Sequence, residues 1–276
     1  MPVALIVSSF VAASRIGGGA QQYVLAAHRI DPVLAPTVLF GRSPATGSTG
    51  DVTAPDVLRR MLGEIEADAV FGEVDLIITG YFAESEQVEI AAGLLERVRA
   101  ASAKPPVVLV DPIMGDDPKG LYVKPAIAQA VAERLTPLGD WITPNLWELG
   151  RLAGGSIADA QAAVAAVRRL GKRALVTSVP GGEGGIGLLY CDADEAVLFT
   201  HRRLAHAPNG TGDLVTASFG AGLVEGLSPL AAAERAARVA AFTVQTALEW
   251  GGMDLPIVAL AEQLPAPPAD VKIERL

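Results

Sequence analysis

Cysteine, aromatic residues and basic charge are all scarce in this chain of 276 residues. Its single cysteine, Cys191, excludes an internal disulfide and a metal cluster held by several thiolates. The 22 basic residues are outnumbered by 31 acidic ones, and the net charge of −9 argues against a nucleic-acid partner. A nucleotide stays possible, because a few backbone N–H groups can bind phosphate within an acidic protein.

Apolar runs long enough to span a membrane are also absent from the sequence. The first residues lack the basic stretch, apolar run and cleavage site of a secretory signal. We therefore expect a soluble, cytoplasmic protein with no membrane partner. Half of the residues are hydrophobic, which is enough for a sizeable core.

Short apolar runs of strand length alternate with stretches of helical spacing along most of the chain. This alternation predicts an α/β fold in which helices cover both faces of a mostly parallel central sheet. No linker or repeat interrupts it, so we expect a single domain over residues 1–276. Strands are expected at 3–9, 36–40, 76–79, 106–110, 141–143 and 174–178, and helices at 20–30, 51–69, 84–101, 125–135, 157–170, 213–223 and 229–250.

Two glycine-rich stretches invite comparison with dinucleotide-binding loops. Residues 182–187 match the spacing G-x-G-x-x-G, but a strand-like run follows them instead of a helix, which favours a hairpin with a second strand at 196–203. Residues 17–19 fail the spacing, because Gln22 stands where the last glycine belongs. We expect residues 14–19 and 41–50 to be loops, and the proline-containing tail to end in an edge strand.

Residues 209–213 read Asn-Gly-Thr-Gly-Asp and run directly into a helical pattern. The first N–H groups of a helix are unpaired and carry partial positive charge, and glycine lets them approach a ligand closely. Such a helix start suits a phosphate. A plain phosphate site has little use for an acid, so Asp213 is a candidate base for a substrate hydroxyl. The alternative is an ordinary helix start in which Asp213 only complements the helix dipole.

Polar side chains follow the ends of several predicted strands, where ligands bind in open α/β sheets. Asp111, Asp116 and Glu148 would crowd there, and a hard cation such as Mg²⁺, shared with nucleotide phosphates, would compensate their charge. An anion site, a metal and a base are the parts that phosphoryl transfer needs, although no Walker A sequence is present. The strand-end residues are Ser9, Tyr81, Asp111, Asp116, Thr143, Glu148, Thr177 and Ser178.

Asn145 and Glu148 open one of the predicted helices and lie one turn apart. They could serve a nucleotide site. The simpler interpretation is a helix cap, in which the Asn145 side chain binds the backbone N–H of Glu148 and the Glu148 side chain binds that of Asn145.

These motifs together resemble those of the ribokinase-like superfamily, and of the pyridoxal kinases within it. The superfamily likeness lies in Asn145-x-x-Glu148 followed by residues 210–213. The pyridoxal kinase likeness lies in residues 111–116 (Asp-Pro-Ile-Met-Gly-Asp), 120–123 (Gly-Leu-Tyr-Val) and 142–149, with Thr79-Gly80-Tyr81 and Ser9-x-Val11. The likeness covers nearly the whole chain.

The resemblance implies ATP-dependent phosphorylation of the 5′-hydroxymethyl group of pyridoxal, pyridoxine and pyridoxamine, giving pyridoxal 5′-phosphate in vitamin B6 salvage. It implies Mg²⁺, often K⁺, and a homodimer. Asp213 would accept the hydroxyl proton, and the amides of Gly210, Thr211 and Gly212 would hold the charge on the transferred phosphoryl group. Residues 115–122 would form a lid.

The resemblance also assigns ligand contacts. Asp116 and Glu148 would face the metal. The substrate would contact Ser9, Ile16, Phe40 and Tyr81, and the nucleotide side would comprise Asp111, Asp116, Tyr122, Thr143, Asn145, Glu148, Thr177 and Ser178.

The substrate half of the site, meaning the segments that would bind the alcohol, departs from the family pattern. Phe10 stands where histidine is usual, residues 16–19 replace Val-Gly-Asn-Arg, and residues 41–44 replace a segment that carries Asn-His-Thr. Residues 17–21 faintly resemble hydroxymethylpyrimidine kinases, which share the fold, although those usually carry cysteine in place of Asp213. Two further alternatives stay open: another small-alcohol kinase of this fold, and a non-catalytic relative that binds a vitamin or a nucleotide, although pure binding would not need a base at Asp213.

Overall fold

The computed structural model describes residues 1–68, 70–101, 104–204 and 206–276. Its strands are β1 (Val3–Val11), β2 (Asp31–Phe40), β3 (Asp51–Val52), β4 (Val74–Thr79), β5 (Val107–Val110), β6 (Gly115–Asp116), β7 (Gly120–Leu121), β8 (Trp141–Ile142), β9 (Ala174–Pro180), β10 (Gly185–Cys191), β11 (Ala196–Arg202) and β12 (Lys272–Arg275). Its helices are α1 (Gly17–Ala27), α2 (Pro55–Ala67), α3 (Ser85–Ala101), α4 (Pro125–Ala130), α5 (Leu146–Ala153), α6 (Ala160–Arg169), α7 (Thr211–Val224) and α8 (Pro229–Glu249).

One ten-stranded sheet runs through the molecule in the order β12-β11-β10-β9-β8-β5-β4-β1-β2-β3. The strands from β9 to β2 in that order pair in parallel. Antiparallel strands flank them, with β3 on one side and the β10, β11 and β12 series on the other. The predicted α/β fold with a mostly parallel sheet is thus confirmed, and the continuity of the sheet supports the proposal of a single domain.

Alternating residues of the inner strands face two hydrophobic cores. In β1, Leu5 and Val7 belong to the core under α2 to α6, whereas Ala4 and Ile6 belong to the core under α1, α7 and α8. The strand period of two residues places successive side chains on opposite faces. Both faces are buried, which explains why the inner strands read as continuous apolar runs.

The three glycines of residues 17–19 do not lie in the loop that the sequence predicted. They form the first turn of α1, which begins at Gly17 and not at residue 20. Gly17 has φ of 63°, and a Cβ there would lie 2.4 Å from the Ser9 hydroxyl oxygen, so glycine is required where the helix start abuts β1. Sequence spacing could not reveal this, because the constraint comes from a neighbouring strand.

Other boundaries also shift. Residues 51–52 pair with β2 as β3, so α2 begins only at Pro55, and its expected end at residue 69 lies outside the described residues. The segment expected to form a lid, residues 115–122, contains a small hairpin formed by β6 and β7. Residues 182–187 lead into β10, which confirms the hairpin interpretation, and β12 confirms the expected edge strand.

Candidate active site

The carboxyl ends of the parallel strands and the starts of α1, α5 and α7 meet along one edge of the sheet. Gly80 continues β4 and donates its N–H to Val7 of β1, and Asp111 continues β5 and donates to Thr79. Thr143 continues β8 and donates to Val110 in the same way. Successive hydrogen bonds of this kind bring strand-end residues that are far apart in sequence onto one rim.

The start of α7 lies at this rim and is shaped by Gly210. Gly210 has a left-handed backbone, with φ of 91°, and a Cβ there would lie 2.1 Å from the Arg15 carbonyl oxygen. The close approach draws the start of α7 against the segment that precedes α1. Thr211 stabilises the turn before α7 by donating its hydroxyl hydrogen to Pro208 O at 2.9 Å, and no side chain caps the helix start among the described residues. The first N–H groups of α7 are then left for a ligand, as at any helix start.

Asp213 lies in the first turn of α7, and 6 % of its surface is exposed. Its Oδ2 accepts the N–H of Gly17 at 2.8 Å, and its Oδ1 lies 3.4 Å from the side-chain amide nitrogen of Gln21. Burial raises the pKa of Asp213 to about 6, against the opposing effect of the Gly17 hydrogen bond. A carboxyl with a pKa near neutral can exchange a proton with a substrate at physiological pH.

Asp111 is buried beside a pair of threonines. The Thr216 hydroxyl donates to Asp111 Oδ2 at 3.0 Å and lies 2.9 Å from the Thr143 hydroxyl oxygen. Burial, followed by the charges of Glu148 and Asp213, raises the pKa of Asp111 well above its usual range. The three carboxyls therefore share one electrostatic environment, and a nearby cation would be favoured there.

Asn145 and Glu148 form the capping box that the simpler interpretation expects. Asn145 Oδ1 accepts the N–H of Glu148, and Glu148 Oε2 accepts the N–H of Asn145, both at 2.9 Å. The same side chains also reach across to β6 and the residue before it. Glu148 Oε1 accepts the N–H groups of Met114 (2.7 Å) and Gly115 (3.3 Å), and Asn145 Nδ2 donates to Gly115 O at 2.8 Å.

We call this arrangement of Asn145, Glu148, Met114 and Gly115 the α5 latch. It joins α5 to the segment between β5 and β6, where Ile113 holds a left-handed φ of 37° that is unfavourable for a branched side chain. Burial raises the pKa of Glu148 to about 7, although its backbone hydrogen bonds oppose the shift. The latch therefore combines a helix cap with a buried carboxyl group whose ionisation is disfavoured.

Asp116 lies at the end of β6 with Tyr122 beside it. Asp116 Oδ1 is buried and has no hydrogen-bond partner among the described residues, and Oδ2 lies 3.5 Å from the Lys119 ammonium. Burial and hydrogen bonding to Asp116 raise the pKa of Tyr122. An unpartnered buried carboxylate oxygen is the kind of group that a metal ion or its water would satisfy.

Three of the four expected substrate residues meet in a small apolar cluster. Phe40 is part of it with Val11 and Val38, and Ile16 and Tyr81 pack against them. The Phe40 and Tyr81 rings make an edge contact with centroids 6.3 Å apart. Ser9, the fourth, is buried next to Gly17, and so lies beside the residue that binds Asp213.

Thr177 and Ser178 lie on the rim at β9. Thr177 pairs with Asn145 through an isolated bridge and donates its N–H to Pro144 O at 3.0 Å. Ser178 is exposed, and its backbone has φ of 63°. The structure thus brings these expected nucleotide residues next to the α5 latch.

Three contributors to the site have no assigned role in the sequence motifs. Gly17 and Gln21 bind the Asp213 carboxylate, and Thr216 joins Asp111 to Thr143. A weak signal existed for Thr216, which follows Asp213 by three residues and so shares its helix face. Gln21 stood out only as a polar residue at a buried position of α1, and that position becomes visible only in the fold.

No three acidic, histidine or cysteine side chains among the described residues come together in a way that would hold a metal ion by themselves. Over the same part of the chain, the helices are all too short or too polar to cross a bilayer. A cavity of about 500 Å³ opens at the opposite, amino edge of the sheet, between Arg99, Trp141 and Leu223, away from the rim.

Residues 25–258 match the model of the phosphomethylpyrimidine kinase family. The pyridoxine/pyridoxal/pyridoxamine kinase of Bordetella avium (strain 197N) is 34 % identical over 84 % of this chain and 81 % of its own. A pyridoxal kinase of Rubrobacter xylanophilus (strain DSM 9941) is 31 % identical over 99 % of this chain and 97 % of its own.

The fold is also that of a solved kinase structure. A pyridoxal kinase from Leishmania donovani in complex with ADP and pyridoxamine superposes with a TM-score of 0.91 over 100 % of both chains, at 21 % identity. At that identity the likeness concerns the fold. It confirms the ribokinase-like architecture that the motifs predicted.

Proposed function

Because the chain belongs to the phosphomethylpyrimidine kinase family, and specifically resembles its pyridoxal kinases, we propose that it is an ATP-dependent pyridoxal kinase. It transfers the γ-phosphoryl group of ATP to the 5′-hydroxymethyl group of pyridoxal, and also to pyridoxine and pyridoxamine. The product with pyridoxal is pyridoxal 5′-phosphate, the end point of vitamin B6 salvage. The observation that carries this proposal is the buried Asp213 carboxylate in the first turn of α7, bound by the N–H of Gly17 next to Ile16 of the apolar cluster.

Asp213 accepts the hydroxyl proton as the oxygen attacks phosphorus. Its pKa of about 6 leaves it ionised at neutral pH and close enough to neutrality to accept a proton. The amides of Gly210, Thr211 and Gly212 face the equatorial oxygens of the transferred group, where charge must be stabilised. Because ATP and the alcohol are held side by side at one rim, the reacting groups are already positioned and the reaction no longer depends on a chance encounter.

The apolar cluster holds the pyridine ring. Tyr81 and Phe40 present ring surfaces, Ile16 closes the side next to α1, and Ser9 supplies a hydroxyl beside Gly17. Aromatic faces and a small number of polar groups are the usual lining of such a pocket.

The nucleotide lies on the other side of Asp213, towards the α5 latch. Thr143, Thr177, Ser178 and Tyr122 are the side chains that we assign to it, with Asp111 beneath them. The side chain of Asn145 is engaged at both ends, so its contribution is to hold Gly115 in place. Residues 115–122 cover the phosphates and exclude water during transfer.

Mg²⁺ is the cation that we propose for this site, and the residues present fit it in part. Asp116 offers a buried oxygen without a partner, whereas Glu148 already accepts three backbone N–H groups and would act through a water molecule. The metal neutralises phosphate charge when it is bound with ATP. K⁺ near Asp111 is the corresponding proposal for a monovalent cation.

Three further proposals concern the whole protein. A homodimer is supported by the exposed apolar side chains of Trp250, Met253 and Val258, which lie close together in sequence after α8. Action in the cytoplasm follows from the need for ATP. Residues 1–276 act as one catalytic domain, as the continuous sheet suggests.

Hydroxymethylpyrimidine kinase activity is the second candidate, and a specific observation favours testing it. The glycines of residues 17–19 form the start of α1 directly beside Ser9 and Asp213, so the departures from the pyridoxal kinase pattern fall inside the substrate half of the site. The choice of alcohol is therefore the property in which this protein can differ from other pyridoxal kinases.

The test is ADP release with Mg²⁺-ATP and K⁺, comparing pyridoxal, pyridoxine, pyridoxamine and hydroxymethylpyrimidine in parallel. We expect saturable turnover led by pyridoxal, and a loss of roughly 10²-fold or more in kcat for Asp213→Asn. Turnover led by the pyrimidine would transfer the function to the second candidate. ATP binding without turnover of any of the four would contradict both.

A further inference from the structure

Both oxygens of the Asp213 carboxylate are bound by groups from one turn of α1. Gly17 donates its backbone N–H to Oδ2 at 2.8 Å, and Gln21 brings its side-chain amide nitrogen to 3.4 Å from Oδ1. The two residues are four positions apart and therefore lie on the same face of the helix. The start of α1 thus defines the plane in which the carboxylate lies.

Gln21 is unusual for its place in the fold. Its exposed fraction is 0 %, and its neighbours one turn further along α1, Val24 and Leu25, belong to the hydrophobic core. Its Oε1 is buried and finds no hydrogen-bond partner within the part of the chain that the structure describes. A buried carboxamide with an unsatisfied oxygen is unfavourable by itself, so the contact of its nitrogen with Asp213 is the interaction that favours glutamine there.

We propose that Gln21 is a positioning residue for phosphoryl transfer, which together with the Gly17 amide orients the Asp213 carboxylate and favours its charged form. The inference rests on the proposed function, because it assumes that Asp213 is the base. It adds a residue of α1 to which none of the sequence motifs assigned a role. Gly17 supplies a backbone group, so Gln21 is the member of this pair that a side-chain substitution can remove.

Few other charged groups of the described residues act on Asp213. Asp111 at the end of β5 repels its charge, and Glu148 on α5 acts in turn on Asp111. Arg15, which precedes α1, directs its guanidinium onto the Tyr23 ring at 4.7 Å. The donors from α1 therefore act on Asp213 against the charge of Asp111, and their removal should disfavour ionisation of Asp213.

The experiment compares Gln21→Leu and Gln21→Glu with the wild type and with Gln22→Leu, a substitution at a half-buried neighbour on α1. Leucine removes the donor at similar size, and glutamate keeps the shape while adding a like charge. We expect the acid limb of kcat/KM against pH to move upward by roughly half a unit or more for leucine and further for glutamate. KM for ATP should stay unchanged, and Gln22→Leu should match the wild type.

A second readout is independent of turnover. Carboxyl ¹³C signals of aspartate-labelled protein titrate with pH, and the signal lost in Asp213→Asn identifies Asp213. Its midpoint should rise in Gln21→Leu. If the wild type phosphorylates none of the alcohols while this midpoint still rises, the proposed function fails and the interaction of Gln21 with Asp213 stands.

Identical midpoints and identical acid limbs in the wild type and in both Gln21 variants would overturn the inference. A fall in rate that is equal at every pH, with a lower Tm, would also overturn it, because that pattern marks a role in stability alone. If Gln21→Leu does not fold, Gln21→Met, which also lacks the donor, takes its place and is read by the same criteria.

Discussion

At the scale of single residues, the site places charge where folding alone would disfavour it. Asp213 is 6 % exposed and lies close enough to Asp111 for their charges to interact. Burial lifts the pKa of Asp213 from 3.8 to about 6. Strain and unfavourable charge of this kind are tolerated at functional sites when the surrounding structure holds them in place.

This raised pKa predicts how stability depends on pH. Between pH 4 and 6 the folded protein keeps a proton on Asp213 that the unfolded chain has lost, so stability falls as pH rises through that window and then levels off. Asp213→Asn removes this dependence and should gain about 2–3 kcal/mol at pH 8. Tm measured at pH 8 and pH 4 tests this: the gain should be present at pH 8 and absent at pH 4. A Tm difference that is the same at both values would contradict the assignment.

Two glycines of the same motif should respond differently to alanine. In Gly210→Ala the new Cβ meets the Arg15 carbonyl oxygen at 2.1 Å, on a backbone with φ of 91°, so we expect a loss of roughly 2–4 kcal/mol and of most activity. In Gly212→Ala the new Cβ has no atom of the described residues within 4 Å and the backbone is helical, so the fold should hold.

Gly212→Ala should nevertheless reduce turnover, because its methyl group enters the open space at the helix start where we propose that the phosphoryl group binds. Thermal denaturation and ADP-release kinetics of the two variants separate the effects. If both variants lost equal stability, the contact with Arg15 would not be the constraint on residue 210.

At the scale of elements, the α5 latch gives one helix start two tasks. Asn145 and Glu148 cap α5, as their spacing predicts, and they also bind Met114 and Gly115 beside β6. The sequence pattern alone supported two interpretations, a cap or a functional pair. The structure contains the cap and shows that the other polar atoms of the same two side chains bind the backbone of Met114 and Gly115, beside the proposed nucleotide site.

Asn145→Ala should therefore lower stability and weaken the use of ATP together. Loss of the cap is worth about 1–2 kcal/mol, and release of Gly115 should raise KM for ATP because the β6–β7 hairpin is no longer held. Asp159→Ala is the matched control, since Asp159 caps α6 by accepting the N–H of Ala162 at 2.8 Å. It should show a similar fall in Tm with unchanged kinetics, and an equal rise in KM for both variants would argue against the latch.

At the scale of the whole molecule, the sheet is protected at its antiparallel end by the last residues of the chain. β12 pairs with β11, and Leu276 donates its N–H to Ala196 O at 2.9 Å. Arg275 also forms an ion pair with Glu195. Without β12, the seven-residue strand β11 would become an open edge, which favours association between sheets.

Deletion of residues 272–276 should lower Tm by a few degrees and increase aggregation at high concentration, while kcat and KM stay near those of the full chain. Ile273→Lys is the comparison, because the side chain is 50 % exposed and the strand itself is kept. Thermal denaturation and light scattering measure both variants. A truncated protein as stable and as soluble as the full chain would show that β12 contributes little.

The sequence by itself determined the class of fold and singled out Asp213 as the candidate base. A strand that is buried on both faces is apolar along its length, and a helix that is buried on one face is apolar every three or four residues. These local patterns were enough to predict the α/β alternation, the β10–β11 hairpin and the edge strand. Asp213 could be proposed as a base from the sequence as well, because an acid in a glycine-rich helix start can be recognised without knowing which residues contact it. The capping pair of Asn145 and Glu148 is local for the same reason.

Only the tertiary structure decided what surrounds these groups. Gly17 and Gln21 reach Asp213 across sequence separations of 196 and 192 residues, and Thr216 reaches Asp111 across 105. Such contacts leave no periodic trace, because each depends on which strand ends become neighbours in the sheet. The order of the strands brings α1 and α7 together at one rim, and that order fixes the plane, the partners and the proton affinity of the carboxylate.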